Sequence, residues 1–185
     1  RWLPSDILVR DIRMEPETFH ARYSAQAKAY VYNLFPGENL NPTMARFFWQ
    51  IRDDLDIQRM RRAANLLTGT NDYRAFAVSA RLPVRTFVRT VHVLDIVQHG
   101  KQLYVHVLGE SFLYKMVRTL VGYLLNVGRD EAWTPADTIA MLSAKQRTSY
   151  TETAPAHGLF LVKVFYQSED WRAFRPPLPP LPVEA

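Results

Sequence analysis

A chain of 185 residues with 48% apolar content is long enough to bury one core of ordinary domain size. It has no cysteine, which excludes disulfides, thiolate metal sites and a Cys nucleophile and fits a reducing compartment. Its net charge of +5, from 23 Lys and Arg against 18 Asp and Glu, favours a polyanionic partner through phosphate contacts and counterion release. No charge-free apolar run reaches the roughly eighteen residues of a membrane helix, and no basic-then-apolar leader opens the chain. A soluble protein without a membrane partner is expected, in the cytoplasm or an organelle matrix and not secreted. The chain opens on Arg1 rather than Met, and a preceding segment is expected.

Asp6 to Met14 alternates Ile7, Val9 and Ile12 with charged residues, and Ala27 to Phe35 is rich in Tyr and Val; both read as strands. Asp56 to Leu67 follows an acidic pair, sets Ile57, Met60, Ala63, Ala64 and Leu67 at helical spacing, and stops at Gly69. Thr86 to Gln98 and Gln102 to Leu108 are β-rich runs joined by His99-Gly100-Lys101, a hairpin pattern. Phe112, Met116, Val117, Leu120, Val121, Leu124 and Leu125 then form the stripe of a long amphipathic helix ending near Gly128. Thr134-Pro135 starts a second helix through Leu142, and Gly158 to Tyr166 is a final apolar strand. Residues 1–170 read as one domain and 171–185 as a proline-rich tail, an extended surface arm. Hairpin strands with helices between them predict an α+β fold with helices chiefly on one face of the sheet.

Three clusters could carry chemistry. Phe19-His20-Ala21-Arg22-Tyr23-Ser24 and the residues through Tyr32 interleave basic groups, hydroxyls and aromatics, a mixture in which cations hold phosphates and rings stack on unpaired bases. The same pattern fits a loop entering an amphipathic strand, with His20 a hydrogen-bonded structural histidine. Arg81, Arg85 and Arg89 crowd a loop-to-strand transition that reads as a basic edge strand sooner than as an RNA-recognition loop. At 100° per residue Arg118 falls about 130° from the centre of the long helix's apolar stripe, either on a solvated flank or reaching a carboxylate in a cleft. The sequence holds no P-loop, dinucleotide fingerprint, HExxH or Gly-x-Ser-x-Gly elbow, and His20, His92, His99, His106 and His157 form no local ligand pair. No metal site is expected.

In order along the chain, these clusters resemble the TruA-type pseudouridine synthases. Phe19-His20-Ala21-Arg22-Tyr23-Ser24-Ala25 is similar to the family's Phe-His-Ala-Arg-Phe/Tyr-Ser-Ala motif, and its active-site tyrosine then falls on Tyr30. Leu67 to Phe76 resembles the Leu-x-Gly-x-x-Asp-Phe-x-x-Phe segment, with Arg81, Arg85 and Arg89 following in the loop used for tRNA contact. Phe112-Leu113-Tyr114-Lys115-Met116-Val117-Arg118 and on to Gly122 resembles Phe-Leu-x-x-Met-Val-Arg-x-x-Val-Gly, with Arg118 as the active-site arginine. Arg147-Thr148 and Thr153 to Leu161 resemble the closing signature.

The resemblance implies one half of a mixed, mainly antiparallel sheet with the active cleft between two similar halves. It implies isomerisation of uridine to pseudouridine in the anticodon stem-loop of tRNA, without a cofactor. Phe19, His20, Ala21, Arg22 and Tyr23 would contact RNA, Tyr30 would stack on the flipped base, and Arg118 would pair with the nucleophilic aspartate. That aspartate belongs to an Arg-Thr-Asp-x-Gly-Val-His-Ala motif that nothing in the chain matches, so this chain alone is expected to be inactive. A homodimer is expected from the family's habit. The alternative reading is a catalytically silent scaffold of a larger ribonucleoprotein, binding rRNA or tRNA; a third is a plain single-strand RNA-binding module.

Overall fold

The computed structural model describes residues 2–78, 84–166, 170–172 and 174–177. Among the described residues six strands form one mixed sheet in which β1 (Ala27–Pro36) is central. Along one edge β1 pairs antiparallel with β5 (Gln102–Gly109); along the other it pairs antiparallel with β6 (Leu159–Phe165) and then parallel with the short β2 (Trp49–Ile51). The hairpin partner of β5 is β4 (Val88–His99), which also carries β3 (Gly69–Asp72) on its outer edge. Gly100, at φ 58°, supplies the left-handed residue of the β4–β5 turn.

Alternation along β1 and β5 gives the sheet two buried faces. Tyr32 and Leu34 of β1 and Leu103, Val105 and Val107 of β5 join a core with α1 (Ile57–Leu66), α2 (Met116–Arg129) and α3 (Pro135–Ala144). Val31 and Tyr104 face the other way, against Met44 and Phe48 of the chain between β1 and β2. Helices therefore lie chiefly on one face of a mixed, mainly antiparallel sheet, as expected. The other face is also closed near the C-terminus, where Trp171, assigned by sequence to the tail, is 3% exposed and packs with Ala27, Ala29, Leu108 and Phe165.

Local signals set the helix ends. The Asp56 carboxylate accepts from Arg59 N at 2.8 Å at the start of α1, and the Asp137 carboxylate accepts from the Thr134 N–H (2.7 Å) and hydroxyl (2.8 Å) at the start of α3. Two expectations are corrected. Asp6 to Met14 forms no strand: Ile7, Val9, Ile12 and Met14 are exposed, and alternation without a partner strand leaves both ladder bonds and apolar face unsatisfied. The long helix begins at Met116, not Phe112, because Lys115 sits at φ 59° in the left-handed region and interrupts the helical run, although Leu113 still reaches the core.

Four tyrosines, Tyr32, Tyr73, Tyr104 and Tyr123, lie in the interior, and burial raises each hydroxyl's pKa, that of Tyr104 to about 12. Their folded values exceed the unfolded value near 10, so this stabilisation is complete below about pH 10 and is lost as pH rises toward the folded values. Stability from urea unfolding should be flat from pH 8 to 9.5 and then fall by about 1.4 kcal/mol per pH unit for each tyrosine in its window. A flat profile to pH 11.5 would show that these hydroxyls ionise as easily folded as unfolded.

Candidate active site

The strand registers bring the separate sequence clusters to one end of the sheet. Lys28 of β1 lies opposite Gly109 of β5, and Gly109 opposite Val91 of β4, whose neighbour β3 runs out at Asp72 opposite Val88. The turn before β1, the loop after β5 and the segment between β3 and β4 consequently emerge at the same end, and α2 begins there too. This gathers Phe19 to Tyr23, Arg85, Arg89, Phe112 and the Arg118 turn without any of them being adjacent in sequence.

Tyr30 projects from β1 on the helix-bearing face, half-buried, with its ring edge-on to Phe112 at 5.3 Å between centroids. Burial raises its hydroxyl's pKa, so the phenol keeps its proton at neutral pH. Phe112 fits because Gly109 has no side chain: a Cβ there would come within 2.9 Å of the Phe112 ring and 2.8 Å of Thr90 O. The aromatic wall of the site is thus built by β1, β5 and the loop after it.

Arg118 is half-buried rather than on a solvated flank, because residues 151–155 cross the helix above it. Its Nε donates to Ala154 O at 2.5 Å, while Ala154 N donates to Arg118 O at 3.1 Å. The adjoining carbonyl, Pro155 O, accepts from the Tyr32 hydroxyl at 2.7 Å. Burial holds that hydroxyl well above its ordinary pKa, with the positive charge of Arg118 pulling the other way. Tyr32 and Arg118 are therefore tied to one short strap, and Arg118 makes no ion pair with a carboxylate among the described residues.

Arg147 clamps that strap. Its guanidinium donates to Thr151 O, to Thr153 Oγ1 (3.3 Å), to Thr119 Oγ1 (3.4 Å) and to Ala77 O (3.5 Å), joining strap, α2 and the turn after β3. Arg147→Ala should lower unfolding stability by about 1–2 kcal/mol, the net value of a charge-assisted donor lost to several carbonyls and hydroxyls. A change under a few tenths of a kcal/mol in a urea titration would show that these bonds are exchanged for water without loss.

The remaining predicted residues divide into engaged and open ones. His20 is structural: its Nδ1 accepts from Arg22 N (3.1 Å) and Tyr23 N (3.3 Å), closing the turn. Phe19 packs on Tyr166 at 5.1 Å, and Ala21 O accepts from the Tyr166 hydroxyl at 2.9 Å, docking the turn on the end of β6. Arg22 and Tyr23 are exposed. Arg89 is folded onto its own loop, donating to Thr86 O (2.8 Å) and Val88 O (2.6 Å), whereas Arg85 is exposed. Arg81 lies outside the described residues. The sequence carried Lys28 and Tyr32 only as members of the first cluster and Arg147 only within the closing signature, and gave no sign of the strap carbonyls. Period-two alternation from Tyr30 would have placed Lys28 and Tyr32 on its face, but nothing local to α2 marks the strap.

A family model described as tRNA pseudouridine synthase matches residues 63–167. The protein named tRNA pseudouridine synthase A of Syntrophotalea carbinolica is 45% identical over 170 residues, covering 92% of this chain and 67% of that protein. Its namesake in Chlamydia pneumoniae is 41% identical over 166 residues (90% of this chain, 61% of the relative), and that of Bacillus licheniformis 37% over 166 residues (90% and 66%). The chain spans about two thirds of the length of these curated relatives. With a family model over more than half of the chain and relatives 37–45% identical across at least nine tenths of it, the chain belongs to the tRNA pseudouridine synthase family.

Proposed function

We propose that the protein isomerises uridine to pseudouridine in tRNA, at the anticodon stem-loop, and that residues 1–185 supply the Tyr30–Arg118 side of the active cleft. The observation that carries this reading is the anchoring of Arg118. Its Nε is committed to Ala154 O, which fixes the guanidinium plane and leaves the Nη edge to meet a carboxylate bidentately. An aspartate brought by a segment with the Arg-Thr-Asp motif would be held there as the ionised nucleophile.

The reaction breaks the N1–C1′ glycosidic bond and forms a C5–C1′ bond; the proton lost from C5 is balanced by one gained at N1, so no redox partner or cofactor is needed. The target base must leave its stack, at a cost of a few kcal/mol, which stacking and phosphate contacts offset. Tyr30 offers a ring for the base to stack on and a phenol that keeps its proton. Phe112 fixes that ring from the side.

Release of tritium from an anticodon stem-loop RNA carrying C5-tritiated uridine tests the reading. Full-length protein should release tritium in stoichiometric excess over enzyme, whereas residues 1–185 alone should release none. Full-length protein that binds the RNA without releasing tritium would instead make this a silent RNA-binding subunit.

A further inference from the structure

We infer that the cavity where α2 ends and α3 begins is a binding site for a small aliphatic diamine or polyamine, held by Asp130 and Asp137 against a wall of aromatic rings. The inference does not depend on the isomerase reading. Asp130 caps the C-terminal end of α2, about 18 Å along the helix axis from Arg118 in its first turn.

The cavity measures about 430 Å³, within the range of roughly 300–1,000 Å³ that small-molecule sites occupy. Its wall is mostly apolar: Tyr123, Trp133 and Tyr150 supply rings, and α3 adds Ala140 and Met141. The Tyr123 and Tyr150 ring centroids lie 6.4 Å apart at an interplanar angle of 54°, and the Tyr123 hydroxyl shares a hydrogen bond with Thr138 Oγ1 at 2.8 Å. Trp133 is 7% exposed. The rings are thus set in place by packing before anything enters.

The charged side chains on this wall, Asp130 and Asp137, are both negative. Asp130 Oδ1 accepts from Ala132 N at 2.9 Å and Oδ2 from the Tyr150 hydroxyl, while Asp137 Oδ2 is held by Thr134. All these donors are neutral, so they orient the carboxylates without cancelling their charge. No Lys or Arg lines the cavity, and neither aspartate makes an ion pair among the described residues. Two uncompensated carboxylates repel phosphate and attract a cation, even on a chain of net charge +5. A metal ion would find no third His, Cys, Asp or Glu beside them among the described residues. An organic cation fits better, because aromatic faces attract an ammonium and its adjoining methylenes. Two carboxylates on a ring-lined wall match a methylene chain with an ammonium at each end.

The test is equilibrium dialysis of radiolabelled spermidine against full-length protein freed of RNA, with cadaverine and its neutral diol analogue, pentanediol, as competitors. Wild type should take up spermidine saturably, one per chain; cadaverine should displace it and pentanediol should not. Asp130→Asn and Asp137→Asn each keep a hydrogen-bond acceptor and remove one charge. Each should weaken spermidine binding about fivefold at low salt, and the difference should shrink as salt is added. Ala140→Leu fills the cavity with a good helix former and leaves both carboxylates in place, so it should abolish the saturable uptake.

Spermidine should also raise the melting temperature of wild type and leave that of Ala140→Leu unchanged, since only a ligand bound to the folded cavity shifts the equilibrium. Wild type without saturable uptake overturns the site. So does Ala140→Leu that binds as wild type does, which would reduce the effect to general attraction of polyamines to acidic surface. Asn variants with unchanged affinity, or displacement by pentanediol as effective as by cadaverine, would show that the cavity takes neutral chains and overturn the assignment to a cation.

Discussion

Arg118→Lys in the full-length protein is expected to lower kcat for uridine isomerisation by about a hundredfold while changing RNA affinity less than threefold, as suits loss of a group that orients the nucleophile. The guanidinium has two tasks that one ammonium cannot share: Nε is spent on Ala154 O at 2.5 Å, and only a planar fork then keeps a second edge for a carboxylate. A lysine that keeps the strap contact loses the carboxylate, and one that reaches the carboxylate releases the strap. Either way the aspartate gains freedom, and a misplacement of about 1 Å is enough for a loss of this order. Fold should survive, because the Ala154 N to Arg118 O bond does not depend on the side chain. Single-turnover tritium release against RNA affinity separates the cases. A variant with unchanged kcat and weakened RNA binding would make Arg118 a phosphate ligand rather than a partner of the nucleophile.

The same residue shows where sequence reading stopped. Periodicity placed α1, the β4–β5 hairpin and most of α2, and the Thr134-Pro135 cap signal placed the start of α3. β2 and β3, at three and four residues, are too short to display alternation and owe their existence to neighbours already in place. Asp6 to Met14 has the alternation without a neighbour and stays out of the sheet. Family motifs point Tyr30 and Arg118 at one site, whereas α2's own pattern left Arg118 between flank and cleft. Its cover comes from a segment 36 residues further on, which no helical wheel contains. Lys145, at φ 53°, ends α3 and lets the chain turn back toward that position. The reading of His20 as a hydrogen-bonded structural histidine fits its ring nitrogen, which accepts two backbone N–H groups.

Gly122→Ala is expected to destabilise the protein by about 3 kcal/mol, against the ordinary tendency of this exchange. Alanine in mid-helix is favoured over glycine by about 1 kcal/mol, so an unobstructed site would become more stable. At Gly122 a Cβ would lie 2.2 Å from Glu152 O and 2.9 Å from Glu152 C, both backbone atoms, so either the helix or the strap must move. The helix is the harder to shift, with Leu120, Val121, Tyr123 and Leu124 at most 1% exposed around it. The strap gives way instead, and its displacement strains or breaks the two Ala154 bonds to Arg118 and the Tyr32 bond to Pro155, at about 1 kcal/mol net for each bond in addition to the overpacking itself. Activity should therefore fall further than the fraction of folded protein accounts for, since the guanidinium loses the anchor that sets its plane. Urea unfolding gives the stability, and tritium release at a temperature where the variant is fully folded gives the activity. A more stable variant with full activity would mean that residues 151–155 do not press on α2 and that Arg118 is oriented by something other than the strap.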